Sequence, residues 1–138
     1  MKPAHFLDTN ILLYSISRDP AEVVKRERSI ELLDRDAGAL SVQVLQEFYV
    51  QSTRTTRSDP ISHDIAVGLM RTWTRFAVQD ITLLVLEHGL RIKTTHGFSY
   101  WDSAIIAAAC AFGCQTLYSE DMSHGRIIEN VTICNPFW

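Results

Sequence analysis

Four carboxylates stand where the surrounding residues would not place a solvated charge. In "FLDTNILLY", residues 6–14, Asp8 interrupts an otherwise uncharged run close to the start of the chain. An isolated ionised carboxylate in apolar surroundings is costly unless something compensates it, so Asp8 either lies just past the end of a strand or has a positive partner. In "SYWDSAIIAAA", Asp102 aligns with Ile105, Ile106 and Ala109 at helical spacing and so shares their packing face. It also falls in the first turn, where the helix dipole favours negative charge. Glu47 sits inside the apolar "LQEFY", and Asp121 follows the apolar "TLYS".

Brought together without a counter-charge, such acids would repel and several would protonate. A divalent cation resolves the conflict. All-oxygen donors suit Mg²⁺ or Mn²⁺, which take one or two protein carboxylates and leave their other positions to water and phosphate oxygens. Such an ion generates hydroxide near neutral pH and stabilises the leaving oxygen of a phosphodiester, so the chemistry suggested is metal-dependent hydrolysis of a phosphate ester. Each acid also has a purely structural reading. Asp8 can cap a helix, Ser99-x-x-Asp102 is a capping box, Asp121 can hold a turn and Glu47 can be a partly exposed helix residue.

The elements that must position these acids follow from periodicity. Residues 4–7 read as a short buried strand, followed by a brief helix up to the turn at Asp19 and Pro20. Residues 21–36 have amphipathic helical spacing. A very short strand at 39–40 leads to Ser41, an N-cap residue for a helix that runs to the turn at Ser58–Pro60. Residues 62–76 form a further helix with Ile65, Leu69, Trp73 and Phe76 on its apolar face, and an extended piece at 78–81 follows. Helices at 83–95 and from Ser99 to the stop at Gly113 come next, then a strand at "TLYS", a loop through "EDMSHGRI" and a last strand in "NVTICNPFW". Short strands alternating with helices imply a parallel sheet covered on both faces. Ligands of open α/β sheets bind beyond the carboxyl ends of the strands. If the first and fourth strands are neighbours, Asp8 and Asp121 share one edge.

The 138 residues fit one domain, 1–138, with 46% hydrophobic and 21% charged residues, an ordinary globular composition. A net charge of −3 argues against a general electrostatic nucleic-acid binder, though not against a nucleic-acid enzyme. No apolar run approaches a membrane span and the start lacks a leader pattern, so a cytoplasmic location is expected. Cys110, Cys114 and Cys134 read as small core residues rather than a disulfide or zinc framework. His5, His63, His88, His96 and His124 lack metal-ligand spacing and read as surface or core residues, with His124 set apart by its closeness to Asp121.

"FLDTNILLY", "LQEFY", "SYWDSAIIAAA" and "LYSEDMSHG", in this order over nearly the whole chain, resemble a PIN domain, and specifically the VapC-type toxins of bacterial toxin–antitoxin pairs. The resemblance implies an α/β, three-layer fold with a roughly five-stranded parallel sheet flanked by helices. It implies a Mg²⁺- or Mn²⁺-dependent endoribonuclease that cuts RNA phosphodiester bonds, with Asp8, Glu47, Asp102 and Asp121 as metal-binding and catalytic acids. Asn10 matches the polar residue of the first motif and would orient Asp8 or a water, and the pattern favours Asp121 over Glu120 as the inward acid. It further implies a cognate antitoxin and a homodimer. Arg54 and Arg57, with Arg71 and Arg75, are candidate RNA contacts, a solvated helix face being the alternative. Trp73, Trp101 and Trp138 could stack bases, with core packing preferred for the first two.

Two other functions remain open on the residues alone. One is a non-catalytic metal- or RNA-binding PIN-like module. The other is a phosphatase or phosphotransferase of haloacid-dehalogenase type, which needs a second aspartate where this chain has Asn10.

Overall fold

The computed structural model describes residues 3–138. Its sheet comprises β1 (His5–Leu7), β2 (Gly38–Ser41), β3 (Ala77–Gln79), β4 (Thr116–Tyr118), β5 (Ile127–Ile128) and β6 (Val131–Cys134) in the order β3-β2-β1-β4-β6-β5. Every pairing is parallel except β5 with β6. The helices are α1 (Thr9–Ser15), α2 (Val23–Asp34), α3 (Val42–Thr53), α4 (His63–Trp73), α5 (Leu83–His96) and α6 (Tyr100–Phe112), with a 3-10 turn at Pro20–Glu22. β1 pairs directly with β4, so the chain leaving each of them emerges at the same edge.

Polar residues at the helix starts fix where each helix begins. The Ser41, Ser62, Thr82 and Ser99 side chains accept hydrogen bonds from the backbone N–H groups of Val44, Ile65, Val85 and Asp102, at 3.1–3.2 Å. Each such cap is worth about 1 kcal/mol. Gly113 ends α6 at φ 67°, a left-handed position that costs glycine nothing. Helices α5 and α6 then pack closely. A Cβ at Gly89 would lie 3.3 Å from the Ala104 Cα, so the helices touch through backbone there. α6 is the central helix, with residues 103–109 all buried, while Phe6, Leu40, Phe48, Leu117 and Ile133 fill the core around the sheet.

The expected parallel five-strand arrangement is present, with one addition. β5 begins at the last residue of the segment read as a loop and turns back on β6 as an antiparallel edge. Two residues are too few to show a period, and only Ile128 of the pair is buried. Of the expected apolar face of α4, Trp73 is buried and Leu69 and Phe76 pack against the core, and Ile65 alone departs from it. Ile65 is 55% exposed, whereas Ala66 and Trp73 are buried. Trp73 anchors the helix by meeting Phe48 of α3 edge-on, with ring centroids 4.7 Å apart. Phe76 lies beyond the helix, with the Arg75 guanidinium 4.4 Å from its ring centroid. α3 ends at Thr53 rather than at the 58–60 turn; the Ser52 and Thr53 hydroxyls both donate to the Tyr49 carbonyl, competing with the helix ladder. Trp101, expected in the core, is 65% exposed. No helix among the described residues is long and apolar enough to cross a membrane.

The contrast between Trp73 and Ile65 on α4 yields a direct test. Trp73→Ala should cost about 3–5 kcal/mol of unfolding free energy, and Ile65→Ala on the same helix should change it by no more than about 0.5 kcal/mol. Urea unfolding of the two variants measures both.

Candidate active site

Asp8 is the residue immediately after β1, and three local bonds hold it there. Its N–H donates to the Tyr118 carbonyl at 3.0 Å, which carries the β1–β4 ladder one step further. Its Oδ1 accepts from the Thr9 N–H at 2.7 Å, capping α1, and its Oδ2 accepts from the Ser119 hydroxyl at 2.7 Å. The residue is only 6% exposed. The helix-cap reading of Asp8 is therefore correct as geometry, and it coexists with a place in a cleft.

That cleft, of about 220 Å³, is lined by Asp8, Thr9, Asn10, Glu47, Asp102 and Asp121 together with Leu13, Gln51 and Ile105. All four sequence-predicted acids thus come together, from the end of β1, from α3, from the first turn of α6 and from the loop after β4. Thr9 Oγ1 donates to Glu47 Oε1 at 3.1 Å, and Asn10 Nδ2 donates to Asp121 Oδ2 at 3.2 Å. Asn10 therefore orients Asp121, where Asp8 or a water had been expected. Its own Oδ1 accepts from the Glu120 N–H at 3.4 Å.

Glu120 turns away from this group. It accepts from Lys25 Nζ at 2.5 Å and from the Tyr14 hydroxyl, so of the two adjacent acids only Asp121 lines the cleft.

The cleft acids repel one another in relative isolation. Burial pushes the Asp8 carboxyl up to about 7 against the lowering effect of Ser119 and the Thr9 N–H, and the charges of Glu47 and Asp102 add to the rise. Burial also raises Glu47, with Asp102 contributing, and raises Asp102, with Asp121 contributing. Among the described residues every salt bridge lies elsewhere, so none of the four acids is in an ion pair. A hard divalent cation fits this donor set, which is carboxylate oxygen with neutral hydroxyl and amide groups beside it.

Other candidates fall outside the cleft. His124 accepts from the Asn135 N–H at 2.9 Å and stacks on Trp138, with centroids 4.3 Å apart. Arg54 and Arg57 line a separate groove with Arg18, next to the α3 end. Arg75 donates to the Leu33 carbonyl at 3.0 Å, a structural bond. Sequence reasoning missed Thr9 and Ser119, the hydroxyls that hold Glu47 and Asp8. The available signal was a hydroxyl residue beside an acid in both "DTN" and "SED".

The raised carboxyls make a pH prediction whose sign is fixed. With its folded value near 7 against 3.8 for the free group, Asp8 binds a proton more readily in the folded state. Its contribution to stability is therefore greatest when protonated and falls as the pH rises from about 4 to above 7, by an amount on the order of a few kcal/mol. Glu47 and Asp102 act in the same direction. In chelator, unfolding free energy should fall between pH 5 and pH 8, and Asp8→Asn, which keeps the cap, should flatten that slope and be at least as stable as the unmodified protein at pH 8. Denaturant melts at several pH values measure it, and a slope unchanged by Asp8→Asn would contradict it.

Known proteins share this architecture. A toxin–antitoxin complex from Klebsiella pneumoniae superposes with a TM-score of 0.71 at 16% identity, covering 96% of this chain and 98% of that one. The Mycobacterium tuberculosis toxin VapC20, described as cleaving the sarcin–ricin loop, gives 0.67 at 21% identity over 86% of this chain and 90% of that one. VapBC2 from Rickettsia felis, bound to a DNA fragment from its promoter, gives 0.65 at 18% identity over 94% and 96%. No curated protein matches by sequence. The family model described as PIN domain matches residues 5–129, nearly the whole chain, and the chain belongs to the PIN domain family.

Proposed function

We propose that this protein is a Mg²⁺- or Mn²⁺-dependent endoribonuclease and the toxin of a toxin–antitoxin pair. The observation that carries the reading is the convergence of Asp8, Glu47, Asp102 and Asp121 on one cleft without a basic partner. The shared fold with toxin–antitoxin proteins, one of them described as cleaving an RNA loop, supports the choice of substrate class.

Asp8 and Asp102 would hold the cation, with Glu47 and Asp121 completing the acidic ring. When bound, the ion would supply an activated water and stabilise the charge on the leaving oxygen. The chain's own residues set the geometry. Ser119 and the Thr9 N–H keep Asp8 in one orientation, Thr9 Oγ1 fixes Glu47, and Asn10 fixes Asp121. Burial and mutual repulsion raise the proton affinity of Asp8, Glu47 and Asp102, which a bound cation would offset. A phosphatase of haloacid-dehalogenase type needs a second aspartate where this chain has Asn10.

Arg54, the C-cap residue of α3, lies seven residues beyond Glu47, about 10 Å along the helix axis. With Arg57 it offers phosphate contacts to an RNA strand leaving the cleft. A cognate antitoxin would occupy the same edge, with a basic side chain, best an Arg, set among the carboxylates. The exposed Ile81, Leu83, Leu84 and Leu90 supply an apolar surface for a homodimer.

Two experiments test the reading. Asp8→Asn and Asp102→Asn should each abolish cleavage of RNA in Mn²⁺ while the fold, followed by circular dichroism, is kept. Activity within about threefold of the unmodified protein, under roughly 1 kcal/mol of barrier, overturns the acidic centre. Arg54→Ala with Arg57→Ala should weaken binding of single-stranded RNA and lower the logarithmic salt slope by about 0.7 per lost phosphate contact. An unchanged slope would remove these arginines from the RNA path.

A further inference from the structure

The acidic cleft leaves unused a second cluster of ligating side chains. His88 of α5, Cys110 of α6 and Glu129 of the β5–β6 turn place an imidazole nitrogen, a thiol sulfur and a carboxylate oxygen within 4.8 Å of one another. We propose that these three residues form a site for a thiophilic divalent cation of the Zn²⁺ class, which staples the β5–β6 hairpin to the α5–α6 pair.

The donor set differs in kind from the cleft. Nitrogen, sulfur and oxygen donors together select Zn²⁺ over Mg²⁺, and three protein ligands leave the fourth tetrahedral position open to water. The ligands come from three elements, and His88 Nε2 already meets Glu129 Oε2 at 2.5 Å across 41 residues of sequence. A cation enters from solvent, because the His88 and Glu129 side chains are 21% and 50% exposed, and rotating these two opens their contact to admit it. Glu129 also has φ 54°, a left-handed backbone that is unfavourable for a non-glycine residue. Glycine would relieve that cost, and what Glu129 adds instead is the carboxylate.

Cys110 packs partly buried against the core and brings its sulfur to the same cluster. Burial, with the nearby Glu129 and Cys114, pushes its thiol up to about 12, so the sulfur is protonated until a cation arrives. On binding, the S–H bond breaks, the proton passes to solvent and the sulfur electron pair forms the bond to the ion. Binding is therefore tighter at higher pH.

Co²⁺ and Zn²⁺ titrations of the full chain test the site without any activity assay. Co²⁺ should give a thiolate-to-metal charge-transfer absorption in the near ultraviolet, absent in Cys110→Ser. The absorption should persist in Asp8→Asn, since a carboxylate site contributes no sulfur band. In competition with a chelator, Zn²⁺ affinity should fall about tenfold or more in Cys110→Ser, His88→Gln and Glu129→Gln. The melting temperature of the unmodified protein should rise by several degrees with Zn²⁺, and that of the variants by much less. A missing sulfur band, a band that survives Cys110→Ser, or equal Zn²⁺ affinity in all variants overturns the site. None of these outcomes bears on the nuclease reading, which rests on other residues.

Discussion

Holding the Asp8 carboxylate out of water is the constraint on which the site depends. A nearly buried acid must be given hydrogen bonds or it will not be tolerated. Those bonds come from the Ser119 hydroxyl and the Thr9 amide. Ser119 is available only because β4 lies directly beside β1, and the amide is available only because α1 begins one residue after the strand ends. A different strand order or a longer β1 would leave the same carboxylate either fully solvated or unsatisfied. The sheet order is thus tied to the chemistry through one side chain.

The two neighbouring acids of the β4 loop show how the surroundings divide like charges. Glu120 is neutralised by Lys25, whose ammonium also lies 5.0 Å from the Tyr14 ring centroid and 5.7 Å from that of Phe137. Tyr14 of α1 and Phe137 meet edge-on, and with Lys25 of α2 they tie both helices to the segment after β6. Asp121 receives only the neutral amide of Asn10. The negative field is therefore kept on the cleft side of the loop, where a cation can use it, while on the other side the same kind of charge serves packing.

Much of this was legible in the residues. Ser41, Ser62 and Ser99 announced their helices because a cap is a local interaction readable from a few positions, and the four acids stood out because their neighbours were apolar. What escaped notice depends on distant partners. On α4 only Ile65 was misplaced, the inward position beside Trp73 going to Ala66, and Trp101 is 65% exposed although Ala104 and Ile105 one turn on are buried. β5 is stabilised by pairing with β6 rather than by any pattern of its own. Thr9 and Ser119 are ordinary hydroxyl residues until the fold sets them against carboxylates. The cluster of His88, Cys110 and Glu129 has no ligand spacing in the chain at all, since its members meet only in space.

The antiparallel hairpin also decides how the sheet ends. A parallel sheet stops at strands whose outer amides and carbonyls are unpaired, and such edges invite pairing with another chain. Here β6, four residues long, is covered by β5, which offers only two residues to solvent, and the opposite edge, β3, has three. Neither rim is long enough to template a continuous ladder. A protein whose core is largely parallel sheet, slow to assemble and exposed while it does so, thus reaches its folded state with little open backbone left to recruit a neighbour into fibrillar growth.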